Sequence, residues 1–333
     1  MFGPTPLRDI FLVAGFELRE MTRSRRAFLF ATLYFLVAAI GSFAFIDVLT
    51  RVQPLTAPPP FFRQRRAPAD LGPRTPANPP APAIPAAPAD TSTPAQSRLF
   101  QRGSPFRDLL NSSVTDKTAV DFFLSMPPIT LFHMLISLTI LPFVIMLTSS
   151  ESIAQEHQLR GIRFVALRTG RGEFVLGKVL GQAVTVALLT LLAGGICMAI
   201  ASYKLQDFEF FPTLSALLLF WPRLFSYCAA FLGLAALCSM NSSSTVASRT
   251  FSIVGVIFLW AVHHDALLYL GTLDATSAQA KAWRFLDFFS PYAHQNDLWY
   301  PETSVYGVAM ASLALLAVLY VGIGLFFYRR RDL

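Results

Sequence analysis

The chain has 333 residues, 54% of them hydrophobic and only 14% charged, with a mean hydropathy of +0.51. A soluble domain carries about 25% charged residues, so this chain has too little polar surface to cover itself in water, and a bilayer is its natural solvent. The net charge of +7 would suggest nucleic acid for a soluble protein, but here membrane topology accounts for it and no nucleic acid partner is expected. Cys197, Cys228 and Cys238 all fall inside apolar runs, which excludes a disulfide framework and suits small buried hydrophobes.

Residues 1–26 are too long and too structured for the charged start of a cleavable signal peptide. Leu7, Ile10, Phe11, Ala14, Leu18 and Met21 recur at helical spacing, with Arg8, Arg19 and Glu20 on much of the other face. That pattern predicts an amphipathic helix lying on the membrane; a solvated helix with no membrane contact has a similar pattern. The basic run Arg-Ser-Arg-Arg at 23–26 then stops the helix at the membrane edge.

About 20 apolar residues are needed to cross the hydrocarbon, and six segments qualify: 27–46, 129–148, 180–203, 214–240, 251–270 and 305–327. The fourth contains Pro222 and Arg223. Proline suits a first helical turn and arginine is costly at mid-bilayer. The sequence therefore favours a short interfacial piece and a span at 221–240 over one long kinked helix. Between the first two spans lies the loop 47–128. Its stretch 53–96 holds 13 of the chain's 23 prolines and few large apolar residues, which predicts an extended, disordered segment. A docking strand for an outside partner is the other reading of it. Residues 98–126, with spaced apolar side chains, predict one or two short helices.

Lys and Arg near the spans set the orientation. With the N-terminus inside, the segments 1–26 and 149–179, Arg249 and the tail 328–333 carry 14 basic residues on the inner side. The short outer loops carry Lys204, Lys281 and Arg284, the last two within the acidic loop 271–304. Long loops cross largely regardless of charge, so both termini are expected to face the cytoplasm.

The inner loop 149–179 contains Gly172–Lys178, Gly-Glu-Phe-Val-Leu-Gly-Lys, one residue short of a phosphate-binding loop. Val179 stands where Ser or Thr would bring a hydroxyl to Mg²⁺. The interior is bulky and acidic where backbone N–H groups must wrap phosphate, and no β-branched strand runs into it. The match is one of spacing only, and no nucleotide is expected in this chain.

From Ser149 onward the same loop resembles the first cytoplasmic loop of ABC-2-type transporter permeases. Glu151 and Glu156 match the acidic positions, Gly161 the glycine, Leu167 the leucine, Arg171 the arginine and Gly177-Lys178 the closing pair. The chain departs from the pattern at His157 and Gln158, at Ile162 in place of Thr, and at Thr169-Gly170 in place of Pro. The amphipathic start, the six spans, the basic end Phe-Phe-Tyr-Arg-Arg-Arg and the polar, proline-containing stretch before the last span are similar too; residues 50–126 lie outside the resemblance.

The resemblance implies an all-α integral membrane protein: six transmembrane helices, an N-terminal interfacial helix and a long Pro-rich extracytoplasmic loop. It implies the permease subunit of an exporter in a bacterial inner membrane, surrounded by lipid and paired with a second copy or a sister permease. Transport would be driven by a separate ATPase subunit that holds the ATP and Mg²⁺, with no cofactor in this chain. Contact with that ATPase would fall on a coupling helix from Glu151 to Leu167 and on Glu151, Glu156, Gly161, Arg163, Leu167 and Arg171. Ile153 and Phe164 would serve as its apolar anchors. Gly177 and Lys178 would mark the start of the third span, Gly177 permitting a close helix approach or a bend and Lys178 snorkelling to the headgroups. Charges that merely solvate a loop are the plainer reading of the same residues.

Other polar residues are weaker candidates. His133, inside the second span, needs a buried partner and either lines a substrate path or bonds a neighbouring helix. His263, His264 and Asp265 have ligand chemistry, but neighbours on a helix point about 100° apart, so no metal site is expected. An intramembrane enzyme needs paired catalytic groups at membrane depth, and the spans contain one carboxylate, Asp265 near the outer end of the fifth. A scaffold or receptor that transports nothing is compatible with the same pattern.

Overall fold

The computed structural model describes residues 6–56, 122–123, 125–158, 170–205, 208–272 and 277–330. The proline-rich stretch from 57 onward, most of 98–126, Gly161, Arg163, Phe164 and Leu167 of the inner loop, and the last three residues lie outside them. The helices are α1 (Pro6–Arg23), α2 (Arg25–Thr56), α3 (Pro128–Ser149), α4 (Glu151–Gln158), α5 (Arg171–Lys204), α6 (Phe210–Asn241), α7 (Thr245–Leu270), α8 (Ala278–Phe288) and α9 (Thr303–Arg330). Two 3₁₀ turns, Pro291–His294 and Asn296–Trp299, precede α9. Among the described residues there is no strand. Six helices, α2, α3, α5, α6, α7 and α9, are long and apolar enough to cross a membrane. Six crossings return the chain to its starting side, so α1, α4 and the end of α9 share one face, here called the terminal face.

Helix α6 is the axis of the bundle. Its Ala230, Gly233, Ala235 and Ala236 are buried, and the small side chains let α9 approach almost to backbone contact. A Cβ added at Gly233 would stand 2.7 Å from the Ala317 carbonyl oxygen, and one at Gly324 would stand 3.2 Å from Leu237 Cα. Lipid tails are as apolar as leucine, so helices in a membrane associate through close packing rather than through hydrophobic exclusion. Small residues at the crossing are what that packing requires.

The fourth span corrects the expectation of a separate interfacial piece. Helix α6 runs unbroken through Pro222, about 48 Å at 1.5 Å per residue. Neighbouring helices hold it together across the proline. Trp221 Nε1 donates to Ala187 O at 3.2 Å and to Thr190 Oγ1 at 3.1 Å on α5. Arg223 is buried within the protein, 2% exposed. Its guanidinium donates to the carbonyls of Leu298 at 3.0 Å and Tyr300 at 3.1 Å and lies over the Tyr306 ring. The segment before α9 folds inward to meet it. Leu298 and Ser290 are fully buried, Ser290 Oγ donates to Leu259 O, and the Tyr227 hydroxyl donates to Gln295 Oε1.

The third span also begins earlier than its apolar run. Helix α5 starts at Arg171, inside the segment expected to be loop, because α1 lies alongside its first three turns and supplies the packing that the membrane does not. Arg171, Gly177 and Lys178 are therefore helical residues. Arg171 Nη1 donates to Arg329 O at 3.3 Å, joining the start of α5 to the end of α9.

Helix α4 sits in the cleft between α6 and α7. Its first N–H groups have no partner within the helix, and Ser239 Oγ of α6 accepts from Ile153 N at 3.1 Å and Ala154 N at 3.0 Å. Ser248 of α7 donates to Ser150 O. Replacing Ser239 by Ala is expected to cost about 1 kcal/mol, the scale of a lost helix cap, and to raise amide exchange at 153 and 154 selectively. Hydrogen-exchange mass spectrometry reads this directly; unchanged protection there would refute the cap. Gly233→Leu is expected to prevent α6 and α9 from closing, with loss of the monodisperse protein in size-exclusion chromatography.

Candidate functional site

The terminal face carries the densest group of charges among the described residues. It is assembled from α1, α4, α5 and α7, starting with a close helix crossing. Gly177 and Gly181, four residues apart on α5, present a flat surface to α1. A Cβ at Gly177 would lie 2.6 Å from Val13 Cβ and 2.8 Å from Ile10 O; one at Gly181 would lie 2.8 Å from Glu17 Cβ and 2.9 Å from Ala14 O. Here glycine serves close approach, and α5 has no break at either position.

That approach brings Lys178 into a cage of carboxylates. Lys178 is 3% exposed and its Nζ lies 2.9 Å from Glu17 Oε2, 3.3 Å from Glu156 Oε1 and 3.9 Å from Glu20 Oε2. The Phe174 ring lies beneath it, 5.5 Å from Nζ to centroid. Gln182, one turn on, donates to Glu17 Oε1 at 3.2 Å. A lone buried ammonium would be several kcal/mol unfavourable, and three carboxylates from two other helices offset that desolvation. Lys178 is therefore caged inside the protein, in place of the expected cation snorkelling to headgroups.

Helix α1 divides its apolar side between two environments. Ile10, Val13 and Ala14 meet α5, whereas Leu7, Phe11, Leu12 and Phe16 are exposed, a stripe suited to the lipid surface. Glu17 lies on the protein-facing side. The charges of Glu20 are less enclosed. Burial raises its pKa, Lys178 opposes that rise, and the neighbouring Glu17 and Glu156 add to it.

Glu151 begins α4 but faces inward, buried against Arg249 of α7 in an ion pair. The sequence marked Glu151 as an acidic position at an outer contact; its side chain instead fastens α4 to the bundle. Glu156, at the other end of α4, reaches Lys178. One eight-residue helix thus bridges α7 and α5 through its two carboxylates. Glu17, Glu20, Gln182, Ser239 and Arg249 carry this arrangement as much as the motif residues do. Only Glu17 had a readable signal, a carboxylate one turn after Ala14 on a stripe otherwise apolar.

A family model described as ABC-2 family transporter protein matches residues 11–333. The chain belongs to the ABC-2 transporter family. No curated protein matches it. As an ABC-2 protein it is a membrane permease of an ABC transporter, a transport subunit and not itself catalytic, and the family implies an ABC ATPase partner in general. Within this permease Glu156 and Lys178 of the cage lie in the segment that resembles the family's first cytoplasmic loop, and Glu17 and Glu20 come from the N-terminal helix.

The remaining candidates are separated in space. His133 on α3 is buried, with Nδ1 3.5 Å from Ser137 Oγ and 3.8 Å from Cys197 Sγ. His263 Nδ1 pairs with Asp287 Oδ1 of α8 at 2.9 Å, while the neighbouring His264 stacks on Trp260. Among the described residues no three His, Cys, Asp or Glu side chains are grouped to hold a metal.

Removing the central cation leaves Glu17 buried against Glu156 without compensation. Lys178→Met is expected to destabilise the permease by about 3–5 kcal/mol, the range for breaking a buried ion pair, seen as a lower thermal midpoint in detergent and faster proteolysis of α1. A midpoint equal to wild type would mean that the cage does not hold α1 in place. Glu20 gives a pH dependence with a defined sign. Its folded pKa is raised, so the folded state binds the proton more tightly than the unfolded chain. Its contribution is full below the ordinary carboxylate value of 4.5 and is lost as pH rises through the raised value. Glu20→Gln is expected to flatten the midpoint-against-pH curve in that window; an unchanged curve would assign the dependence elsewhere.

Proposed function

We propose that this permease is the membrane half of an exporter in a bacterial inner membrane, driven by a separate ATPase that seats on the terminal face. Both termini would then be cytoplasmic, ATP and Mg²⁺ would be held by the partner, and two permeases, identical or sister, would form the membrane part. The observation that carries this reading is helix α4. It is short, it projects at the terminal face, and its two ends are fastened to different parts of the bundle, Glu151 to Arg249 of α7 and Glu156 to Lys178 of α5. A push on such a helix cannot be absorbed by a flexible loop, because charge pairs and the Ser239 cap transmit it to α5, α6 and α7. Rigid-body movement of packed helices is the expected response.

In this mechanism the contact with the ATPase falls on the exposed side of α4 and on the residues after it, with Gly161, Arg163 and Leu167 in the contact and Arg171 at its edge. Glu156 sits at the junction, touching Lys178 within the permease and close to the docking surface. Glu151 holds α4 in register. Lys178 and Glu17 carry the displacement on to α1, which floats its Leu7, Phe11 and Phe16 in the inner leaflet. Closure of the ATPase pair would then move α4 and, through these ties, α1, α5, α6 and α7 as rigid elements. His133 is proposed to line the substrate path, at the half of the bundle away from the ATPase.

The test begins with partnership. The tagged chain, purified in mild detergent from its native host, is expected to bring down a stoichiometric ATPase with a true phosphate-binding loop; recovery without one argues for a scaffold or receptor. In the reconstituted complex, Arg163→Glu and Glu156→Lys are each expected to reduce permease-stimulated ATP hydrolysis by about ten-fold, equivalent to some 1.4 kcal/mol. Transport that survives both reversals would refute the assignment of the contact.

A further inference from the structure

The half of the bundle opposite the terminal face contains a cavity of about 190 Å³ between α3, α5 and α6. Its walls are mainly Leu, Met, Phe and Trp, and no Lys, Arg, Asp or Glu lines it. Three polar groups face this apolar space. His133 presents its ring to it, with Nε2 3.3 Å from where a Cβ on Gly194 would stand. Nδ1 is engaged with Ser137 and Cys197, while Nε2 has no hydrogen-bond partner among the described residues. Thr130, one turn earlier on α3, is 1% exposed, and its Oγ1 is buried without a partner. Thr190 completes the set, its hydroxyl accepting from Trp221.

The cavity is not sealed. It opens sideways between α5 and α6 past Leu191, Gly195 and Leu218, all of them exposed on the surface that lipid covers. Nothing stands within 4 Å of a Cβ placed on Gly195. The mouth is apolar and membrane-facing, and the unpartnered polar atoms lie within. An apolar cavity of about 150 Å³ stays dry and takes up a benzene-sized guest, so this one is large enough for a ring or a short stretch of chain. A buried ring nitrogen and a hydroxyl left unbonded are unfavourable by roughly 1–3 kcal/mol each, which a guest with one hydroxyl would relieve. A phosphate or quaternary ammonium head is disfavoured, because a charge in this site would meet no counter-charge.

We infer that this cavity is a binding site for a neutral, lipid-phase amphiphile with a single hydroxyl, such as a long-chain alcohol, entering hydroxyl-first between α5 and α6. His133 Nε2 and Thr130 Oγ1 bond the hydroxyl, and the chain leaves past Gly195 into the bilayer. The site is defined by this chain's own side chains and requires neither the ATPase nor transport, so its test stands apart from that of the transport mechanism.

The probe is hexadecanol carrying a diazirine in the chain and a terminal alkyne, photolysed with the full-length permease in nanodiscs. Label is expected on peptides carrying 130–134, 190–198 and 214–224, displaced by free hexadecanol, with weak labelling by a phosphocholine lipid of the same chain. Gly195→Leu closes the mouth and is expected to abolish the label. Leu218→Trp, at an exposed position, does the same if the first variant fails to fold. His133→Phe is expected to weaken competition by hexadecanol about five-fold, the scale of one neutral hydrogen bond, while leaving competition by hexadecane unchanged. Full labelling in a folded mouth variant would overturn the proposal. So would equal competition by hexadecanol and hexadecane in the wild type, or equal labelling by the phosphocholine probe.

Discussion

One buried ammonium organises the terminal face. Lys178 lies in a long helix that would cross the membrane, yet its charge never reaches solvent, so carboxylates must come to it. Glu17 arrives from α1 and Glu156 from α4, and each arrival fixes a helix that hydrophobicity alone would leave free to slide. An apolar stripe tells α1 to lie on a membrane but not where along α5 to lie. The ion pairs supply that register, and the glycines at 177 and 181 allow the backbones close enough for the pairs to form. Charge and packing here are one constraint, since a larger residue at Gly181 would push Glu17 away from Lys178.

The rest of the bundle repeats the same logic with neutral groups. Helices α6 and α9 approach through Gly233 and Gly324. Helix α4 is held by a serine that caps it from another helix. Arg223, which would be a liability in lipid, is held by backbone carbonyls that fold inward to reach it. In each case a polar group or a small residue within the apolar part decides which neighbours must be adjacent. The two halves of the molecule differ accordingly. The terminal half is tied by charges and suited to receiving a push, whereas the opposite half has an open cavity at His133 and an inward-folded segment before α9.

Such a division suits a permease whose energy arrives at one face while its cargo is handled in the membrane. Helix α4 is tied at both ends, so movement at the proposed ATPase contact would be shared among three spans. The cavity lies among two of those same helices, α5 and α6, which links the two regions through rigid elements rather than through a chain of flexible loops.

Much of this was legible in the residues. The six spans follow from hydropathy because a bilayer demands some 20 apolar residues per crossing, and the family was readable from Glu151, Glu156, Gly177 and Lys178 in one short loop. Gly177 was correctly suspected of a close approach. What failed were inferences from single residues taken with the membrane alone as their surroundings. Pro222 and Arg223 suggested a broken span, Lys178 a snorkelling cation and Glu151 an outward contact. Each is corrected by a neighbour distant in sequence: α5 and the segment before α9 support α6, Glu17 and Glu156 enclose Lys178, and Arg249 draws Glu151 inward. The sequence by itself determined how many times the chain crosses and what kind of solvent it needs, because those depend on local length and polarity. Only the tertiary structure decided which polar groups are partners, because a buried charge is stabilised by whatever reaches it in space, and the chain does not write that distance in its order.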